Sequence, residues 1–174
     1  MIVFLDIDGV LNSDEDLRYC EGTPAYGSHY TCVISREKVA LLNRIPAALP
    51  DVRFVLSTSW RDEYFALDSL GDTVTVRALL SKYGFKGTYH KDWRTPCQHM
   101  RDVVSRRDGW IRGDEVFTWL ANNGFSADTR HVILDDMGLP YHFHPGQPLV
   151  QTDARVGLTD ADVDTAIAIL TEVS

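Results

Sequence analysis

MIVFLDIDGVLN, residues 1–12, decides how the rest of the chain is read. Residues 2–5 form an unbroken apolar run that ends in acid, the pattern of a parallel strand buried on both faces. Asp6 and Asp8 are two residues apart, so in extended chain their side chains face the same way. Gly9 follows and permits a sharp exit that keeps both carboxylates near the strand tip.

The same pattern recurs further along. Residues 52–56 read as a second buried strand, followed by Ser57, Thr58 and Ser59. Residues 131–134 read as a third, ending in Asp135 and Asp136, and residues 149–152 as a fourth. Helical patterns lie between them. Ser35 caps a helix with Val39, Leu42 and Ile45 on its apolar face, losing regularity at Pro46. Residues 73–83 are helical and closed by Gly84. Residues 114–123 turn Val116, Phe117 and Leu120 inward. Thr159 and Asp162 open a last helix with Val163, Ala166, Ile167 and Leu170 on one face. Residues 12–34 lack periodicity and read as a flap or long loop, and residues 84–111 read as irregular. Alternating strands and helices specify the α/β class, a parallel sheet covered on both sides, in a single domain spanning residues 1–174. Ligands of such sheets bind at the carboxyl ends of the strands, and here three of those ends carry oxygen ligands.

Composition excludes several classes. The chain has 174 residues, 44% hydrophobic and 24% charged, which rules out disordered and fibrous chains. No apolar run approaches the ~18 residues of a membrane span, and the first residues lack the basic start of a signal peptide. Cys20, Cys32 and Cys97 leave one thiol over in any pairing and have no C-x-x-C spacing, so a reduced, cytoplasmic protein without a zinc site is expected. The net charge of −8 argues against a general nucleic-acid coat. Its distribution is uneven. The insert at 77–112 holds nine Lys/Arg against three Asp, a net +6, while the other 138 residues carry 8 basic and 22 acidic side chains, a net −14. Such a segment suits an anionic ligand on one face, or is simply a solvated helical surface.

Asp6, Asp8, Asp135 and Asp136 would repel one another unless a cation joined them, and an all-oxygen set favours Mg²⁺ over zinc. With Mg²⁺ bound, one carboxylate can attack phosphorus while another shuttles the proton. A hydroxyl such as Thr58 and a cation such as Arg112 would hold the phosphoryl oxygens. Other residues draw plainer readings. His142 and His144 in YHFHPG lack a third nearby ligand. Trp60, Trp93, Trp110 and Trp119 read as packing, with Trp60 and Trp93 the two to test as base-stacking platforms. No G-x-x-x-x-G-K-[ST] occurs, so no fused kinase is expected.

DIDGVLN at 6–12, FVLSTSWR at 54–61 and VILDD at 132–136 resemble motifs I, II and IV of the haloacid dehalogenase-like (HAD) superfamily. STSWR, RGDEVFTWL, VILDD and LVQTDARVGLTDADVDTAIAIL together resemble the small HAD domains of the Swiss Army Knife RNA repair group. The resemblance implies a Rossmann-like core with helices on both faces. The 12–34 flap is too short for a large cap. It implies that Asp6 is the nucleophile forming an aspartyl-phosphate and that Asp8 is the general acid and base, its backbone carbonyl also on the metal. Thr58 is the motif II hydroxyl, with Ser57 or Ser59 as the alternative. Arg112 is the motif III cation, with Arg107 in reserve. Thr58, Ser59, Arg112 and Arg107 would bind substrate, and Asp135 with Asp136 would complete the Mg²⁺ site. Asp at position 8 separates the chain from the superfamily's metal-independent dehalogenases, which lack that acid, and from transport ATPases, which place Thr there.

The expected function is a Mg²⁺-dependent phosphomonoesterase. Two substrates compete: a phosphorylated nucleic-acid end (3′-phosphatase-like), or a free nucleotide or small metabolite. Short cover over the site and the basic insert favour the first, and the negative total charge favours the second. A non-enzymatic phospho-acceptor resembling a response-regulator receiver is the reading from another class. Receivers place the acidic pair first in the chain, whereas here the D-x-D comes first and the pair last. A catalytically inactive scaffold is the remaining alternative, although every motif has its reactive residue. No membrane partner is expected.

Overall fold

The computed structural model describes residues 1–16, 34–61, 75–96, 111–126 and 128–172. Its centre is a five-stranded parallel sheet in the order β3-β2-β1-β4-β5, built from β1 (Ile2–Leu5), β2 (Arg53–Leu56), β3 (Tyr89–Arg94), β4 (His131–Asp135) and β5 (Leu149–Gln151). β1 lies in the middle, in register with Arg53–Leu56 on one side and with His131–Leu134 on the other. All four of its residues are buried, as the absence of alternation requires.

Strand parity divides the core. Val3 and Leu5 of β1, Phe54 and Leu56 of β2, and Val132 and Leu134 of β4 face one side. There they pack on α1 (Arg36–Leu42), α2 (Arg44–Ala48), α3 (Val76–Lys82) and α5 (Asp160–Thr171). Ile2, Phe4, Val55 and Ile133 face the other side, against Val116, Trp119 and Leu120 of α4 (Arg112–Asn122). Asp6 and Asp135 continue the second parity, so the fold aims both at the face that α4 covers.

The caps follow the sequence closely. Ser35 Oγ accepts from Lys38 N, and Thr75 Oγ1 accepts from Ala78 N. Thr159 and Asp162 form a reciprocal capping box, with Asp162 Oδ2 accepting from Thr159 N at 2.9 Å and Thr159 Oγ1 from Asp162 N at 3.3 Å. The expected break at Pro46 falls earlier, at Asn43, between α1 and α2. Pro46 then sits in the first turn of α2, where a missing N–H costs nothing.

Two expectations are corrected. Phe117, expected to turn inward, is exposed and stacks on His144 at 5.4 Å. The 84–111 stretch read as irregular contains the edge strand β3. Phe54 pairs with Tyr89 and Leu56 with Arg94, so two steps along β2 match five along β3. A bulge of that size destroys the period of two, and the solvated outer edge takes His90, Lys91 and Asp92 instead of apolar residues. Much of the expected flap (17–33), part of the basic insert (97–110, including Arg101, Arg106 and Arg107) and all three cysteines lie outside the described residues. Among the described residues no helix is long and apolar enough to cross a membrane.

Trp119 locks α4 to the sheet. It is 1% exposed, meets Phe4 edge-on at 5.3 Å, stacks on Phe125 at 5.8 Å and donates Nε1–H to Asp92 O at 3.0 Å. Trp119→Ala is expected to cost about 3–5 kcal/mol of stability. Urea unfolding followed by far-ultraviolet circular dichroism checks this; a loss under ~1 kcal/mol would show that α4 is held by something else.

Candidate active site

β1 ends by handing its chain to a tight turn. Asp6 N–H donates to Leu134 O at 3.0 Å, extending the ladder one residue past the strand. Ile7 O then accepts from Leu11 N at 2.8 Å. Gly9 makes the turn possible with φ +66, a conformation that side chains disfavour. It also lies so close to the acidic pair that an added Cβ would stand 2.5 Å from Asp136 Cβ. Thr152, just past β5, fixes this turn through Oγ1–H to Gly9 O at 2.7 Å.

Asp6 is 3% exposed, and its Oδ1 accepts from Ile7 N at 2.8 Å. Its Oδ2 accepts from Arg112 Nη1 at 2.6 Å, and the Thr58 hydroxyl donates to the same carboxylate. Arg112 Nη1 also donates to Asp135 Oδ2 at 2.5 Å, so one guanidinium nitrogen joins the first and fourth strands. Asp135 is fully buried, with Oδ1 accepting from Met137 N at 2.9 Å.

Burial raises the Asp6 pKa, with the charge and hydrogen bonds of Arg112 and the Thr58 bond opposing it. Asp135 is pushed up to about 7 by burial first and by the Asp6 charge second, again against Arg112. Asp136 is raised as well, chiefly by burial. Burial disfavours the Arg112 charge, but Asp6 and Asp135 outweigh it and hold the guanidinium above the ordinary arginine value. Arg112 is therefore a permanent cation in a nest of carboxylates.

Arg112 is positioned by the start of α4. Asp114 Oδ2 accepts from Ile111 N at 2.8 Å, and its Oδ1 meets His144 Nε2 at 2.7 Å. The Gln147 amide accepts from His144 N at 2.9 Å and donates to Gly113 O at 3.0 Å, while Gly113 N–H donates to His142 O at 2.9 Å. A Cβ at Gly113 would stand 2.3 Å from Gln147 Oε1, so a side chain here would push the Gln147 amide from its place. The histidines of YHFHPG thus serve the loop that pins the helix start.

Asp8 differs from Asp6 in setting. It is exposed, and its carboxylate turns to other donors: Asn12 Nδ2 at 2.9 Å on Oδ1 and Trp60 Nε1 at 2.8 Å on Oδ2. Trp60 is 8% exposed and belongs to the core, in keeping with its reading as packing rather than as a base-stacking platform. Ser57 Oγ is buried with no hydrogen-bond partner, Ser59 opens the 3-10 turn Ser59–Arg61, and Arg107 lies outside the described residues. Asp6, Thr58, Arg112, Asp135 and Asp136 therefore meet at one sheet edge. Asn12, Trp60 and Gln147 join them without having been singled out for these contacts. Asn12 and Trp60 stand inside the quoted motifs, yet a tryptophan reads as core and an asparagine after a turn as a turn residue.

Asp6, Asp135 and Asp136 each offer a carboxylate oxygen within 4.8 Å of the others. Three hard oxygen donors whose ionisation is opposed by burial suit a small divalent cation. The Asp8 carboxylate stands outside this trio, so the expectation that Asp8 is a ligand is left to its backbone carbonyl.

Residues 2–163 match the family described as the HAD domain in Swiss Army Knife RNA repair proteins. Comparison with curated proteins and with solved structures returned no match.

Because the folded Asp135 pKa lies above its unfolded value, its contribution to stability is full below about pH 4 and is lost as pH rises through about 7. Removing Arg112 steepens this dependence. Arg112→Met in metal-free protein is expected to lose about 3–5 kcal/mol at pH 8. The loss should shrink toward pH 5, where Asp6 and Asp135 take up protons. Urea unfolding at the two pH values checks it; an equal loss at both would mean that charge compensation is not what Arg112 supplies.

Proposed function

Since the chain belongs to the family of HAD domains found in Swiss Army Knife RNA repair proteins, we propose that it is a Mg²⁺-dependent phosphomonoesterase acting on phosphorylated nucleic-acid ends through an aspartyl-phosphate. One observation carries the chemistry: a buried Asp6 held by Arg112 and Thr58, beside Asp135 and Asp136, with a second acid two residues on.

In this reading an Asp6 carboxylate oxygen attacks phosphorus in line with the ester oxygen. The P–O bond to the leaving group breaks, and Asp8 gives that oxygen its proton, releasing the alcohol. Asp8, now a carboxylate, takes a proton from water as the water oxygen attacks the phosphorus of the aspartyl-phosphate. The P–O bond to Asp6 breaks, and inorganic phosphate and both starting acids result. Thr58 and Arg112 hold the phosphoryl oxygens as charge moves between them. Asp6, Asp135, Asp136 and the Asp8 carbonyl would hold the Mg²⁺, which supplies neutralising charge and a fixed template for the phosphoryl group. A reducing, cytoplasmic setting belongs to this reading and is supported by the odd number of cysteines.

Nucleic-acid ends are favoured by the basic insert, whose described part carries Arg77 at 4.3 Å and Arg94 at 5.2 Å from the Trp93 ring. Guanidinium and indole together suit phosphates flanked by bases.

Asp6→Asn should fold normally and lose several orders of magnitude in turnover, since the covalent route is gone. EDTA should abolish phosphate release and Mg²⁺ restore it better than Ca²⁺. A malachite-green assay over nucleotides, sugar phosphates and 3′- and 5′-phosphorylated oligonucleotides reads both. Near-normal turnover by folded Asp6→Asn protein would sink the mechanism, and full activity without metal would sink the role of the acidic trio.

Salt separates the two substrate classes. On a phosphorylated single strand, log activity at subsaturating substrate should fall against log salt with a slope of about −0.7 per contacted phosphate. A mononucleotide should show a much shallower slope, and Arg94→Glu should impair the oligonucleotide reaction while sparing the small one. Equal slopes, or a clear preference for the small substrate, would favour a nucleotide or metabolite phosphatase.

A further inference from the structure

The 3-10 turn Ser59–Arg61 and the residue before it reach both acids of the first strand tip. The Thr58 hydroxyl donates to the Asp6 carboxylate and accepts from Trp60 N at 3.3 Å. The Trp60 indole, 52 residues from Asp8 in sequence, donates Nε1–H to Asp8 Oδ2 at 2.8 Å. On the other oxygen, Asn12 Nδ2 donates at 2.9 Å, and Asn12 is itself fixed because its Oδ1 accepts from Gly9 N at 2.8 Å. Asp8 belongs to an exposed residue, so without partners its carboxylate would sample several rotamers. Two donors on two different oxygens fix both its position and its plane.

We propose that Trp60 is a positioning residue for proton transfer: its indole N–H, opposite the Asn12 amide, holds the Asp8 carboxyl where it meets the ester's leaving oxygen. The proposal rests on the phosphatase reading above and deepens it. An indole N–H only donates, so it cannot take the travelling proton. It fills one lone pair on Oδ2, Asn12 fills one on Oδ1, and each oxygen keeps a second for the proton. The bond is charge-assisted whenever Asp8 is ionised, which is the state that activates water in the second half of the reaction. The buried ring also explains why a large side chain stands here: it packs in the core while its N–H reaches Asp8 at the site edge.

Trp60→Phe keeps an aromatic ring in the core and deletes the donor. The test compares kcat/KM on two esters, because this quantity reports the steps through departure of the leaving group. An alkyl or nucleoside phosphate needs its leaving oxygen protonated, and here kcat/KM should fall about tenfold to a hundredfold, part of the ~10²–10⁴ that general acid catalysis contributes. 2,4-Dinitrophenyl phosphate leaves without a proton, and its kcat/KM should change by less than about threefold. In an Asp8→Asn background Trp60→Phe should cost nothing further on the alkyl ester. Equal losses on both esters would mean a merely structural tryptophan, and no loss on either would mean an idle contact; each overturns the proposal. If Trp60→Phe does not fold, the indole ¹H–¹⁵N resonance of Trp60 decides. It should move between wild-type protein and Asp8→Asn, and an unmoved resonance overturns the contact. Wild-type protein inert toward both esters in Mg²⁺ would instead overturn the phosphatase reading, and the positioning role with it.

Discussion

Two carboxylates on neighbouring strands share one guanidinium, and the architecture is arranged around that sharing. Asp6 and Asp135 are both buried, and Arg112 Nη1 lies within 2.6 Å of an oxygen of each. Burying either acid alone would force it to keep its proton. Burying both without a cation would add repulsion to desolvation. Arg112 offsets part of this, but one positive charge faces Asp6, Asp135 and Asp136 together. A dianionic phosphate arriving at such a site needs more positive charge than the protein supplies. In the proposed reaction a divalent cation would answer that deficit with the oxygen donors already in place.

The requirement reaches back through the fold. For Arg112 to touch both acids, its helix must cover the face toward which they point, and it must begin at the carboxyl end of the strands. Strand parity meets the first condition, because Asp6 and Asp135 follow the residues that pack on α4. Trp119 and the Gln147 loop meet the second by fixing α4 at its middle and at its start. Gly9 marks where backbone and acid come too close for any side chain, and Gly113 where a side chain would push the Gln147 amide aside. The polar cluster is held from several directions, as a half-satisfied buried network could not be.

Much of this was legible in the sequence. The runs at β1, β2 and β4 carry apolar residues on both faces and end in oxygen ligands, so strand identity and site edge could be read together. Thr159 with Asp162 announced the last helix through its capping chemistry. β3 was not legible, because its bulged register and polar edge erase the two-residue period. Trp60 and Gln147 were not legible in their contacts for another reason. Periodicity locates a residue on an element, but a hydrogen bond between residues 52 apart depends on how two elements are set side by side. Asp8 showed its type and spacing, and nothing in the sequence told which donors would hold it.

The difference between the two acids of D-x-D is the last consequence. Spacing alone makes Asp6 and Asp8 equivalent, two carboxylates on one side of an extended chain. The turn at Gly9 breaks that equivalence. Asp6 stays with the sheet, buried and gripped by a cation, whereas Asp8 leaves with the turn and is held at the edge by neutral donors. In the proposed reaction the nucleophile must be ionised in a dry place, and the Arg112 charge beside Asp6 would serve that need. A proton carrier must change its charge within one cycle, and a fixed cation beside it would oppose one of its two states. Neutral donors from Trp60 and Asn12 can hold the carboxyl in place without that penalty. In the proposed reaction unlike partners would divide the labour between two acids of the same type, and the surroundings of each support the proposed roles of nucleophile and acid–base.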